Sequence, residues 1–182
     1  MTIETRNKVE LALQPPSSEV AVLAQAALTE ALEFCARKMG LRDPKAVADC
    51  LQRGDEHACG YFQYGLAKTV AERLGELDEG IKAVYLYDDE ATPEDACLGA
   101  ARRIPLTHLI VWAGQRSAAL NSLLTGLDRA LAQALGDLLG QSQFSHALDC
   151  QVINDVDVEN RAGLGALLSS LHHRPIEVWK RS

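Results

Sequence analysis

Over the first eighty residues, apolar positions recur three and four apart, the period of a half-buried helix. Val20, Leu23, Ala24, Ala27, Ala31, Phe34 and Cys35 make one such stripe. It predicts a helix from Ser17 or Ser18, whose hydroxyls suit an N-cap, to about Lys38. Arg37 and Lys38 fall in the last turn, where the helix dipole favours cations, and Gly40 supplies the stop. Asp43-Pro44 opens a short second helix, with Asp as cap and Pro at the first position, ending near Arg53-Gly54. Asp55 caps a third helix with the stripe Ala58, Tyr61, Phe62, Gly65, Leu66, Thr69 and Val70. Tyr61 and Phe62 are expected in the core. Gly60 and Gly65 each cost a helix about 1 kcal/mol relative to Ala, so close approach of a neighbour is expected at both.

After Asp78-Glu79-Gly80 the period changes. Ile81–Asp88 and Leu106–Ala113 have strand length and strand composition, and Ala147–Asn154 alternates. In that third strand Leu148, Cys150 and Val152 point one way, and Asp149, Gln151 and Ile153 the other. Thr92 and Pro93 start a short helix to Leu98. Ser117–Leu139 is a long helix with Leu120, Leu124, Leu127, Leu131 and Leu135 on one face, ended by Gly140. Asp157 or Asn160 caps a last helix bearing Leu164, Leu167, Leu168 and Leu171, closed by His172-His173-Arg174. Ile176–Trp179 is a final short strand.

A strand-helix-strand crossover implies parallel pairing. The fold class is therefore α/β: a small mixed sheet of about four strands with helices, preceded by a helical N-terminal part. The chain divides into residues 1–16, an arm or edge strand with alternating Val9, Leu11 and Leu13, then a helical part over 17–78 and an α/β core over 79–182.

Composition narrows the function classes. A net charge of -7 argues against general affinity for nucleic acid or anionic membrane. No apolar run approaches the roughly 18–20 residues that span a bilayer, and Met1–Glu10 lacks a signal sequence's apolar segment, so a cytoplasmic protein is expected. Five cysteines in no C-x-x-C spacing suggest neither a disulfide framework nor a zinc knuckle, and Cys35 and Cys150 read as small hydrophobes.

The candidate chemistry is sparse. Ser117, Ser122, Ser145, Ser169 and the cysteines are available nucleophiles, and His57, His108, His146, His172 and His173 available bases, but no G-x-S-x-G elbow is present. His172 and His173 are adjacent, so on a helix they diverge by about 100° and do not grip one ion. Asp155, Asp157 and Glu159 suit a helix N-terminus. Two residues stand out inside strands: His108 within an apolar run, and Asp149, for which Arg102, Arg103, Arg116 or His108 is a plausible partner.

The succession Val84-Tyr85-Leu86-Tyr87, Leu106–Trp112, Leu148-Asp149-Cys150-Gln151-Val152 and Leu167–Trp179 resembles the minimal nucleotidyltransferases of the DNA polymerase β superfamily. That family has a Gly-Ser turn after its first strand, two aspartates one residue apart on the second and another on the third. Here Asp88-Asp89 replaces the Gly-Ser turn, Leu106 and His108 replace the paired aspartates, and Asp149 alone matches a family carboxylate. The resemblance thus implies a non-catalytic relative, a pseudoenzyme acting through assembly or regulation. No cofactor is predicted, and the expected partner is a second copy or another protein. The alternative is a Mg²⁺-dependent nucleotidyl or phosphoryl transferase with Asp88, Asp89 and Asp149 as metal ligands and His108 facing the substrate. Nucleotide is the ligand class left open.

Overall fold

The cap residues start and stop the helices where the pattern predicts. The structure, a computed structural model, describes residues 17–87, 106–140, 144–172 and 174–182. Helix α1 spans Ser18–Met39, with the Ser17 hydroxyl accepting from the Val20 amide at 3.3 Å and Gly40 closing it at φ 68°. Helix α2 spans Pro44–Gln52 and α3 spans Glu56–Leu77, capped by the side chains of Asp43 and Asp55. Helix α4 spans Ala118–Leu139, capped by Ser117 and ended by left-handed Gly140. A left-handed residue exposes the last carbonyls without a Cβ clash, which is why glycine sits at both helix stops.

Strand β1 covers Ile81–Tyr87, β2 Thr107–Ala113, β3 Leu148–Ile153 and β4 Ile176–Lys180. They form one sheet in the order β3-β2-β1-β4. Strand β1 runs antiparallel to both β2 and β4, and β2 pairs parallel with β3 through the α4 crossover. The chain is thus a mixed α/β fold with a helical N-terminal part, as the pattern predicts.

One face of the sheet is closed by helices. Ile81, Val84, Leu109, Val111 and Leu148 bury there against α1, α3 and α4. Leu127 and Leu131 of α4 are fully buried in the same cluster, and truncating either to Ala costs about 2–5 kcal/mol. Helices α1 and α3 approach closely at Gly65, where a Cβ would lie 2.9 Å from the Phe34 ring and 3.3 Å from the Ala31 carbonyl oxygen. At Gly60, by contrast, no atom of the described residues outside its own helix backbone would lie within 4 Å of a Cβ. Tyr61 departs from the expected core position. It is 38% exposed, while its neighbour Phe62 is buried. The buried stripe of α3 (Ala58, Phe62, Gly65, Leu66, Thr69 and Val70) leaves Tyr61 at its margin.

The C-terminus locks this layer. The Trp179 ring lies where a Cβ on Gly75 would be. The Arg181 guanidinium donates to the carbonyls of Gly75 at 2.7 Å and Asp78 at 3.0 Å, at the end of α3, and of Ile81 at 2.9 Å, at the start of β1.

The last predicted helix is corrected. Asn154, not Asp157 or Asn160, caps a five-residue helix α5, Asp155–Glu159, in a reciprocal capping box with Asp157. Arg161 at φ 50° and Gly163 at φ 51° then turn the chain out of helical geometry. Leu164, Leu167 and Leu168 follow on a 3₁₀ segment, Gly163–Ser169. Leu171 and His172 lie beyond it and are exposed, so they do not close a helix. The predicted arm 1–16, the helix over Pro93–Leu98, and Arg102, Arg103 and His173 fall outside the described residues.

Candidate functional site

The second face of the sheet is ordered in rows across the strands. Strand pairing places Tyr87 opposite His108, and His108 opposite Asp149. The next row is Glu177, Tyr85, Ile110 and Gln151. The third is Lys180, Ala83, Trp112 and Ile153. Val158, Leu164, Leu167 and Leu168 of α5 and the 3₁₀ segment pack over Ala83, Tyr85, Ile110 and Ile153. The side chains of His108 and Asp149 keep 19% and 36% of their surface exposed.

His108 Nδ1 lies 3.2 Å from Asp149 Oδ2. The Gln151 side-chain amide donates to Asp149 Oδ1 at 2.9 Å, and the Tyr87 ring packs 5.4 Å from the imidazole. A carboxylate at Nδ1 favours the tautomer with its proton there, which leaves Nε2 of the neutral ring as an acceptor facing outward from the pair. Of the candidate partners for Asp149 among the described residues, His108 lies against it and Arg116 bonds Asp157 instead. In the next row, burial and then Glu177, which shares a hydrogen bond with it, push the Tyr85 phenol upward, and Arg174 opposes them.

The acidic run at α5 serves the fold. Lys82 Nζ lies 2.7 Å from both carboxylate oxygens of Asp155, and Trp112 Nε1 donates to the same group at 2.9 Å. These bonds, Lys82 first, hold the Asp155 carboxyl below its ordinary value of 3.8. Asp157 Oδ2 accepts from the Asn154 amide and from Arg116, each at 2.9 Å.

A second histidine–aspartate pair lies elsewhere. His146 Nδ1 is 2.7 Å from Asp128 Oδ2, while Asp128 Oδ1 accepts from the amides of Ala147 at 2.7 Å and Leu148 at 2.9 Å. That aspartate ties α4 to the start of β3, and His146 is mostly exposed. The leucine spacing of α4 conceals Asp128; its only signal is a carboxylate placed directly after Leu127 on the buried side.

The other candidate residues are dispersed. His57 stacks on Tyr61 at 6.4 Å, far along α3 from the sheet's second face. Among the described residues, Ser117, Ser122, Ser145 and Ser169 make no hydrogen bond to a histidine. Ser117 caps α4, and Ser169 donates to the Ala166 carbonyl. Burial raises the Cys35 thiol to about 11, helped by Cys50, Cys59 and Asp55, and raises Cys150 to about 12, helped by Asp128 and Asp149. Asp88 and Asp89 follow Tyr87 in the chain and lie outside the described residues. No group of three or more His, Cys, Asp or Glu among the described residues is placed to hold a metal ion. No described helix is long and apolar enough to cross a membrane.

Comparison of the chain with protein-family models, curated proteins and solved structures finds no match.

Proposed function

We propose that this chain is a non-catalytic, nucleotidyltransferase-like protein that acts through assembly or regulation, and that the Tyr87–His108–Asp149 row is where it meets a nucleotide-sized polar ligand. The observation that carries this reading is the engagement of Asp149. One of its oxygens is committed to His108 and the other to Gln151. Asp149 is the one carboxylate that matches the family pattern, and phosphoryl transfer uses several carboxylates to hold its cations. The same arrangement leaves an oriented imidazole at the edge of the apolar cover. Among the described residues β4 is an edge strand, and an unpaired edge supports an assembly role.

The outward Nε2 of His108 favours a second reading, proton transfer with His108 as base and Asp149 as the group that positions it. The Mg²⁺-dependent transferase reading requires Asp88 and Asp89 to join Asp149 about one cation.

Thermal melting with ATP, GTP, CTP and UTP, each with and without Mg²⁺, tests the proposal. A ligand present at about 100 times its Kd adds roughly 2.7 kcal/mol. The non-catalytic reading expects one nucleotide to raise the melting temperature without turnover, and Asp149→Asn to abolish the rise. Turnover of the nucleotide selects the transferase reading. No stabilisation by any nucleotide rejects the ligand assignment.

A further inference from the structure

We propose that the Tyr87–His108–Asp149 row docks its ligand through an N–H donor, and so takes the amino edge of a nucleobase rather than a phosphate, an assignment that rests on this row being where a nucleotide-sized ligand is met. A hydrogen-bond chain of fixed direction carries it. The Gln151 amide donates to Asp149 Oδ1 at 2.9 Å, and Asp149 Oδ2 lies 3.2 Å from His108 Nδ1. An ionised carboxylate only accepts, so each of these neighbours turns a proton-bearing nitrogen to it. His108 thus keeps its proton on Nδ1, and a neutral imidazole then has a bare lone pair at Nε2. The chain ends outward on an acceptor, and what meets it must donate.

The surroundings select the kind of donor. The His108 and Asp149 side chains keep 19% and 36% of their surface exposed, so a ligand reaches both. The carboxylate has lone pairs beyond the two bonds it accepts, which adds acceptors beside Nε2. An exocyclic amino group brings two N–H bonds to such a pair of acceptors. The Tyr87 ring stands 5.4 Å from the imidazole at 53°, an aromatic neighbour for a planar base. A phosphate brings negative charge and acceptor oxygens, and would face a lone pair and a carboxylate. Two cations of this face stand away from the pair. Lys180 lies on β4, with β1 between it and the β2 strand of His108, and Arg174 acts one row on, at Tyr85.

The probes are pairs of nucleosides that differ by one amino group: adenosine and purine riboside, guanosine and inosine, cytidine and 2-pyrimidinone riboside. Uridine and inorganic triphosphate are the controls. Each is added to the full chain at pH 8, and the His108 nitrogens are followed in long-range ¹H–¹⁵N spectra. In the free chain Nδ1 should carry the proton and Nε2 none. At least one amino nucleoside should move Nε2 with saturation, and its partner without the amino group should bind at least about threefold more weakly. Asp149→Ala removes the group that selects the tautomer, so both tautomers should coexist and the amino preference should be lost. A proton on Nε2 of the free wild-type ring would overturn the proposal. So would a shift from inorganic triphosphate equal to that from the best nucleoside, or an amino preference that survives in Asp149→Ala. Uridine bound as tightly as the amino nucleosides, both members of each pair bound alike, or a response to nucleoside triphosphates but to no nucleoside would remove the amino edge and leave the nucleotide reading standing. Silence of His108 towards every nucleoside and towards ATP, GTP, CTP and UTP would remove both.

Discussion

His108 and Asp149 are register partners on the parallel strands β2 and β3, with Nδ1 3.2 Å from Oδ2. Parallel pairing sets these side chains on one face of neighbouring strands, where they meet without any loop. Both are partly open to water, and open pairs contribute little to stability. Asp149→Ala should therefore lower the unfolding free energy by less than about 1 kcal/mol in urea titrations. A larger loss would mean that the pair is structural.

Asp128 should behave in the opposite way. Its side chain is 15% exposed, and it accepts two backbone amides besides His146. Asp128→Ala strands those amides and should cost about 2 kcal/mol. His146→Ala removes an exposed partner and should cost under about 1 kcal/mol. Urea midpoints of the two variants give the comparison.

Gly75 has the Trp179 ring in the space of its missing Cβ. Gly75→Ala adds helix propensity worth about 1 kcal/mol, and the overpacking it forces costs about 1–3 kcal/mol. Net destabilisation is expected. Trp179→Leu should reduce the penalty of adding the methyl group, a coupling that a double-mutant cycle measures.

Asp155 supplies a pH dependence. Lys82 and then Trp112 hold its folded carboxyl below the ordinary 3.8. A depressed folded value adds stability above the unfolded value and loses it as pH falls through the folded one. The advantage of wild type over Asp155→Asn should be present at pH 6 and fade below 3.8. Urea unfolding at pH 6 and pH 3 checks the sign.

The cysteines differ in reactivity. Burial raises the thiols of Cys35 to about 11 and Cys150 to about 12, so both stay protonated at pH 8. Mass spectrometry after iodoacetamide at pH 8 should find Cys50 alkylated before either.

Much of this architecture is legible in the chain because local chemistry decides it. Ser17, Asp43, Asp55 and Ser117 sit before apolar stripes and cap the helices that follow. The alternation in β3 correctly places Asp149 and Gln151 opposite Cys150. The last helix misleads because its leucines fit either helical period, while the left-handed Arg161 is invisible in a residue type that rarely adopts that geometry. Tyr61 misleads because apolar spacing does not say how wide a neighbour is. The meeting of His108 with Asp149 depends on strand register across 41 residues of chain, and no local signal encodes it. Asp128 is hidden because its partners, the first amides of β3, are backbone groups.

A polar ligand on the Tyr87–His108–Asp149 row would meet the His108 ring first. The most direct test follows the His108 ring nitrogens in long-range ¹H–¹⁵N spectra while ATP, GTP, CTP and UTP are added in turn with Mg²⁺. One nucleotide should shift His108 Nε2 with saturation, and Asp149→Asn should remove the shift. A His108 signal that none of the four nucleotides moves would contradict the ligand assignment.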